Sequence, residues 1–345
     1  MNYYRHIDRS KVQFDFLVDS DSTLVPREEI ESLGGRVFEV PPYQHVIEYQ
    51  RELQRIFKQE GWKIVHSHIN ALSVFPLRAA AKAGVPVRIA HSHSTSGKGE
   101  YAKNALKAVL KTQSNLYPTH RFACSKFAGE WLFGKAAHFE VVYNAIDLDR
   151  FRFNAEARAQ ARADLGLVGN QFAIGHVGRF TAQKNHAFLI DVFTEVAKRR
   201  DDAVLLLVGT GEAGASVKAL VDERGLTDRV KFLGQRNDVN RLYQAFDAFV
   251  LPSLYEDLCL VGVEAQASGL PCLLSDAITR EVDVTGECKF LSIDSPVVWA
   301  DEIDSLSPCS YEDRMSISSG QFADYNIDLQ ANRLTRKYLD LYSRN

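Results

Sequence analysis

Glu256 and Glu264 stand eight residues apart in the stretch AFVLPSLYEDLCLVGVEAQASGLPCLLSD (248–276). An apolar run ends there at Leu251-Pro252-Ser253, and a short loop carries Glu256. A helical stretch then begins near Leu260 and stops at Gly269, with Pro271 beyond it. Were the whole interval helical, the two carboxylates would lie about 12 Å apart along the axis. That is roughly the span from the ribose to the sugar of a nucleoside diphosphate sugar. Amides at the helix start, at Leu258, Cys259 and Leu260, would meet phosphates with the positive end of the helix dipole. Two glutamates at this spacing also suit a plain solvated helix face. The Pro-Ser end, the loop glutamate and the Gly-Leu-Pro exit favour the site.

The second stretch, FAIGHVGRFTAQKNHAFLIDVF (172–193), runs as a strand into Gly178, then Arg179, with Lys184 five residues later near a helix start. Gly178 permits close backbone approach, and two cations beside a helix N-terminus suit a diphosphate. Expelling a nucleoside diphosphate requires the charge on the leaving oxygen to be neutralised, which Arg and Lys can do without a metal. The competing reading is ordinary surface cations.

These residues need strands to hold them. Apolar or alternating runs predict strands at 12–18, 63–68, 87–92, 121–125 and 139–144, with helical patterns between them that stop at Gly. The pattern repeats through QFAIGHVG, AVLLLVG, VKFLG, AFVLPS and PCLLSD. Two successive βα runs predict two doubly wound parallel sheets, whose ligands bind at the carboxyl ends of the strands. The weakest periodicity, 147–168, is assigned to the connection between domains. A chain of 345 residues suits two domains.

Composition narrows the class. Hydrophobic content of 46% and charged content of 25% are ordinary for a globular protein. No apolar run reaches a membrane span, and MNYYRHIDRS has no signal-like core. Five scattered cysteines without a CxxC pair argue for a reducing compartment and against a zinc site. Residues 1–150 hold 20 Lys/Arg against 16 Asp/Glu, and residues 151–345 hold 21 against 28. Eight of the ten histidines also lie in the first part. The first half is thus the one suited to phosphate or an anionic surface.

GRF-x3-KN (178–185) and the Glu256-to-Glu264 spacing resemble the retaining family 4 glycosyltransferases of the GT-B fold. The ending EAQASGLPCLLSD is similar to the branch that builds capsular and exopolysaccharides. HSH (66–68), RIAHSHS (88–94), the serine of ACSK and VVYNAID (141–147) fall in the family's order.

The resemblance implies two Rossmann-like domains facing across a cleft. The acceptor-side domain would span 1–150 and the donor domain 151–328, with a last helix (329–345) crossing back. It implies that Arg179 and Lys184 hold the diphosphate, Glu264 the ribose diol and Glu256 the sugar hydroxyls. The backbone at Gly234, Gln235 and Arg236 would meet the base, and His91 would lie near the anomeric end, with His93 a weaker substitute. Retention with the leaving phosphate taking the acceptor's proton needs no general base and no metal. A UDP-sugar donor, a lipid-linked glycan acceptor and the inner face of a bacterial membrane follow as expectations, with no nucleic acid involved. An epimerase or hydrolase on nucleotide sugars, or an inactive remnant, is the alternative.

Two departures stand out. Asp257-Leu258-Cys259 replaces the family's Gly after the first Glu, adding a negative charge. The family also begins with a strand and a Gly-rich loop ahead of the helix matching MNYYRHID, so the first domain is expected to lack a central strand and to be poorly stable.

Other strings carry weaker readings. Gly209–Gly214 matches GxGxxG after a strand, but no acid ends the next strand, so a tight turn is favoured over NAD binding. Asp19-Ser20-Asp21 and Asp147-Leu148-Asp149 imitate metal-binding DxD strings. His66 and His68, flanking one residue, are expected on opposite faces and therefore as a poor metal pair. GKGEYAKNALKAVLKT (97–112), with Lys103, Lys107 and Lys111, reads as a basic amphipathic helix for an anionic membrane or as a plain surface helix. The stripe Leu329, Leu334, Tyr338 and Leu341 marks the last helix.

Overall fold

Valine, isoleucine and leucine runs bounded by glycine give parallel strands throughout the computed structural model, which describes residues 1–93, 107–256, 258–306, 311–315, 317 and 320–344. The chain divides into two compact units, Met1–Ala145 with Asp324–Asn345, and Ile146–Ala323.

The first unit carries β1 (Phe16–Asp19), β2 (Val37–Val40), β3 (Ile64–Ser67), β4 (Val87–Ser92), β5 (His120–Ala123) and β6 (Glu140–Val141). Its strands form two sheets, β1-β2 and β3-β4-β5-β6, because no described strand hydrogen-bonds β1 to β3. Both sheets nevertheless feed the same two apolar layers. Leu17 and Phe38 pack with Val65, Leu53, Phe57 and Leu77 on one face. Phe14, Phe16 and Ile64 pack with Val87, Ile89, Phe122 and Leu334 on the other. The register pairs His66 with Ile89 and Ser67 with Ala90.

The last helix, Ile327–Ser343, is capped by the Asn326 side chain and belongs to this unit. Ile327, Ala331, Leu334, Tyr338 and Leu341 are its buried face, at i, i+4, i+7, i+11 and i+14. Leu329 is 47% exposed, which corrects the predicted stripe. Two positions from Ile327 is about 200° around the helix, on the solvent side.

The second unit is one six-stranded sheet, order β12-β11-β10-β7-β8-β9. Its strands are β7 (Phe172–Val177), β8 (Ala203–Val208), β9 (Val230–Gly234), β10 (Ala248–Leu251), β11 (Cys272–Ser275) and β12 (Lys289–Leu291). Phe172, Ile174, Phe193, Leu205, Leu207, Val250 and Trp299 share its core.

The stretch 147–168, assigned to the connection between domains, begins just past the unit boundary at Ala145/Ile146 and carries a docked helix. The helix Ala155–Asp164 starts at the Asn154 cap and is held by charge, since Arg158 and Arg162 reach Asp247 at 2.6 and 3.1 Å. Asp247 also accepts from the Ala173 amide of β7 at 2.8 Å. A helix fastened by guanidinium groups needs little apolar stripe, and its periodicity is correspondingly weak.

Candidate functional site

The chain of the second unit runs outward from β7 to β8 and β9, then returns to place β10 on the other side of β7. The switch point therefore lies between β7 and β10, where open α/β sheets bind ligands at the carboxyl ends. The loop after β7 carries Gly178 to Lys184, and the loop after β10 carries Pro252 to Cys259.

Backbone contacts stitch these two loops together. The Leu254 amide donates to the Gln183 carbonyl at 2.8 Å, and Gln183 Nε2 donates to the Tyr255 carbonyl at 2.9 Å. Lys184 Nζ then reaches Glu256 Oε1 at 2.7 Å, with the two side chains only 15% and 10% exposed. Gly178 matters here because a Cβ would stand 3.0 Å from Cδ and Cε of Lys184. Its absence lets the lysine stem lie across the backbone. Arg179 is exposed and makes no ion pair with a described residue.

The helix Leu260–Ala267 starts at Cys259 without a side-chain cap, and its Leu260 and Gly262 amides turn back to the Leu258 and Cys259 carbonyls at 3.1 and 3.0 Å. Glu256 precedes this helix in an isolated bridge to Ile278, so the interval to Glu264 is only partly helical and the axial estimate does not apply. Glu264 sits a turn inside the helix and accepts from the Tyr243 hydroxyl at 3.1 Å, a donor shared with the Val261 carbonyl. Burial pushes the Glu264 carboxyl up to about 7, against the hydrogen bond from Tyr243. Burial likewise pushes the Cys259 thiol up to about 12, so it is not a nucleophile at neutral pH. Leu258 lies half-buried beside it, and Asp257 is outside the described residues.

Gly234 ends β9 with φ +66°, a left-handed turn suited to glycine. Gln235 and Arg236 follow on the surface, and Arg236 pairs with Asp238 at 2.7 Å. The GxGxxG string is explained by packing. A Cβ on Gly209 would meet the Gly178 carbonyl oxygen at 2.0 Å, and one on Gly211 the Phe180 carbonyl oxygen at 2.5 Å. This turn braces the loop that carries Arg179.

Sequence reasoning missed several neighbours. Gln183 and Tyr243 position the lysine and the buried glutamate, yet neither falls in a recognisable pattern. His186, both of whose ring nitrogens lack partners, stacks on Phe180 at 4.1 Å, and Ser253 Oγ is buried without a partner. Only the histidine in KNH and the serine after Pro252 hinted at them.

In the first unit, His91 is 3% exposed near the end of β4, and its Nε2 has no hydrogen-bond partner. His66 and His68 do not face apart. Their rings stack at 4.1 Å, because residues i and i+2 of a strand share a face. Among the described residues, His66, His68 and His91 are the one group of three or more such side chains able to hold a metal ion, and neither DxD string joins one. Asp147 instead caps the turn Leu148–Phe151.

Of the basic segment 97–112, residues 97–106 lie outside the described residues. Lys111 stands 4.9 Å over the Trp131 ring. No described helix is long and apolar enough to cross a membrane.

Comparison with known proteins adds the family. Residues 1–150 match the model described as Glycosyltransferase Family 4, and residues 171–307 match Glycosyl transferases group 1. The chain is 40% identical over 314 residues to the putative glycosyltransferase EpsF of Bacillus subtilis, covering 88% of this chain and 82% of that protein. It is 30% identical over 234 residues to the Escherichia coli UDP-Gal:alpha-D-GlcNAc-diphosphoundecaprenol alpha-1,3-galactosyltransferase, covering 65% of this chain and 60% of that one. In fold it resembles Anabaena HepE, solved in complex with UDP-glucose, with a TM-score of 0.77 at 19% identity over 94% of this chain and 91% of that one. It also resembles WaaG, a glycosyltransferase involved in lipopolysaccharide biosynthesis, with a TM-score of 0.73 at 16% identity over 97% and 93%.

Proposed function

The chain belongs to glycosyltransferase family 4, with the GT-B fold, and we propose that it transfers a sugar from a UDP-sugar to a lipid-linked glycan, retaining anomeric configuration and using no metal at the donor. The observation that carries this reading is the Lys184–Glu256 pair at the switch point, one loop away from the uncapped helix start and Glu264.

In this reading Arg179 and Lys184 take the diphosphate and neutralise the charge that grows on the leaving oxygen. The start of the helix at Leu260 adds the positive end of its dipole there. Glu264 accepts from the ribose hydroxyls and Glu256 from those of the sugar. The backbone at Gly234 to Arg236 is assigned to the base, and His91 to the sugar's anomeric end. Lys184 keeps donors to spare for phosphate while bonded to Glu256, since an ammonium carries three. The acceptor's proton passes to the leaving phosphate. The acceptor class is supported by the E. coli relative, a galactosyltransferase acting on an undecaprenyl-diphosphate-linked sugar.

Calorimetric titration of UDP in excess EDTA, with Lys184→Ala beside the wild type, tests the donor site. Binding should survive EDTA and weaken about 100-fold in the variant, the effect of removing one charged donor. A folded wild type that takes up no UDP would falsify the donor reading. The anomeric configuration of the product, read by NMR, tests retention separately.

A further inference from the structure

Four imidazoles lie together on one face of the first unit's larger sheet. His66 and His68 come from the end of β3, and His91 and His93 from the end of β4. The parallel register that pairs Ser67 with Ala90 brings His68 level with His91. Rings stack along each strand at 4.1 and 4.0 Å, and across the strands His66–His91 and His68–His91 centroids are both 5.1 Å apart. One nitrogen from each of His66, His68 and His91 lies within 4.8 Å of the other two.

Hydrogen bonding leaves this cluster one partner short. Tyr338 Oη meets His66 Nδ1 at 2.6 Å, and His66 Nε2 meets His91 Nδ1 at 3.0 Å. If Tyr338 donates, the relay ends in a buried His91 Nε2–H with no acceptor. If Tyr338 accepts, it ends in a bare His91 Nε2 lone pair with no donor. Either way His91 Nε2 makes no hydrogen bond of good geometry, the Val142 backbone being the ring's other polar neighbour. Ligation by His66 Nε2 requires the second direction, with Tyr338 accepting from Nδ1–H as outer partner, and requires the His91 Nδ1–H bond to His66 Nε2 to be given up as the ion enters. His93 Nε2 holds His68 Nδ1 in the same manner at 2.8 Å.

We propose that His66, His68 and His91 bind a divalent transition-metal ion, zinc by ligand chemistry, with His93 as outer partner or fourth ligand. Imidazole-only sets suit zinc, copper and nickel over magnesium or calcium. Tetrahedral zinc at 2.0–2.1 Å holds its nitrogens about 3.3 Å apart, within reach of small ring rotations. His68, at the solvent edge, gives the ion its way in. The ligands come from the first unit alone and share only His91 with the proposed sugar site. An ion held by His91 removes that ring from any role toward the sugar, and occupancy should therefore slow transfer without changing UDP affinity.

Zinc is titrated into the EDTA-stripped, full-length chain against a chromogenic chelator, and cobalt is added separately to read tetrahedral absorption. One equivalent should bind, with tetrahedral cobalt colour. His68→Ala should weaken binding at least tenfold, and Tyr338→Phe should weaken it about 10–100-fold at unchanged stoichiometry. His68 is exposed, so its removal spares the core, and circular dichroism checks each variant. The exposed His138→Ala is the control and should bind as wild type. No saturable equivalent in a folded wild type overturns the proposal, as does equal weakening by His68→Ala and His138→Ala.

Discussion

The two units use the same parallel βα pattern but fasten their functional side chains differently. The second unit relies on charge, with Lys184 against Glu256 at the switch point and Arg158 and Arg162 on Asp247 beneath it. Its sheet is continuous, and its reactive groups stand on loops stitched by backbone hydrogen bonds. The first unit relies on neutral rings at the ends of two adjacent strands, in a unit whose strands fall into two sheets. Ionic sites on loops can release a partner to a ligand, whereas stacked imidazoles on strands are placed by register alone. The contrast shows one architecture supporting an exchangeable site and a fixed one.

The contrast breaks most visibly at Asp247. Asp247→Ala strands two buried guanidinium groups and should cost about 3–5 kcal/mol in chemical denaturation of the full chain. A loss below 1 kcal/mol would show that charge is not what docks the helix Ala155–Asp164. The matching deletion in the first unit is apolar. Leu334→Ala should cost about 2–3 kcal/mol, while Leu329→Ala stays within about 0.5 kcal/mol. Equal effects would restore the stripe expected from sequence.

Glu264 sharpens the comparison through pH. Burial pushes its carboxyl up to about 7, and in the proposed donor reading the ionised form is the stronger acceptor for the ribose hydroxyls. UDP affinity should therefore rise as pH climbs from about 6 to 8, by up to tenfold per unit below the titration point. Glu264→Gln should flatten that profile and bind roughly tenfold more weakly at pH 8. A profile of unchanged slope in the variant assigns the titration elsewhere. The stability sign is opposite. A carboxyl raised in the folded state favours folding while protonated and loses that contribution as pH rises through about 7. Glu264→Gln should accordingly raise Tm above pH 7 and leave it unchanged near pH 4.

Much of this was legible in the residues. Apolar runs bounded by glycine located ten of the strands, and the Gly178–Lys184 and Glu256–Glu264 spacings located the loops that meet at the switch point. β2 and β12 were not read: VFEV and KFL each carry a charged residue among few apolar ones and make no clear apolar run. The tie from Gln183 to Tyr255 and that from Tyr243 to Glu264 join residues 72 and 21 positions apart, a distance no local pattern reports. The histidine pairs were misread for a different reason. Period-two alternation was applied to residues one apart in place of two, although the pattern itself was in plain view.

The glycines at 209 and 211 press directly on the carbonyls of Gly178 and Phe180, closer than any side chain would allow. The two turns are therefore one heritable unit, in which a change in either is felt at Arg179. A library aimed at new donors would do best to hold 178–180 and 209–211 constant and diversify the open surface at Gln235 and Arg236, where variation is inexpensive to the backbone.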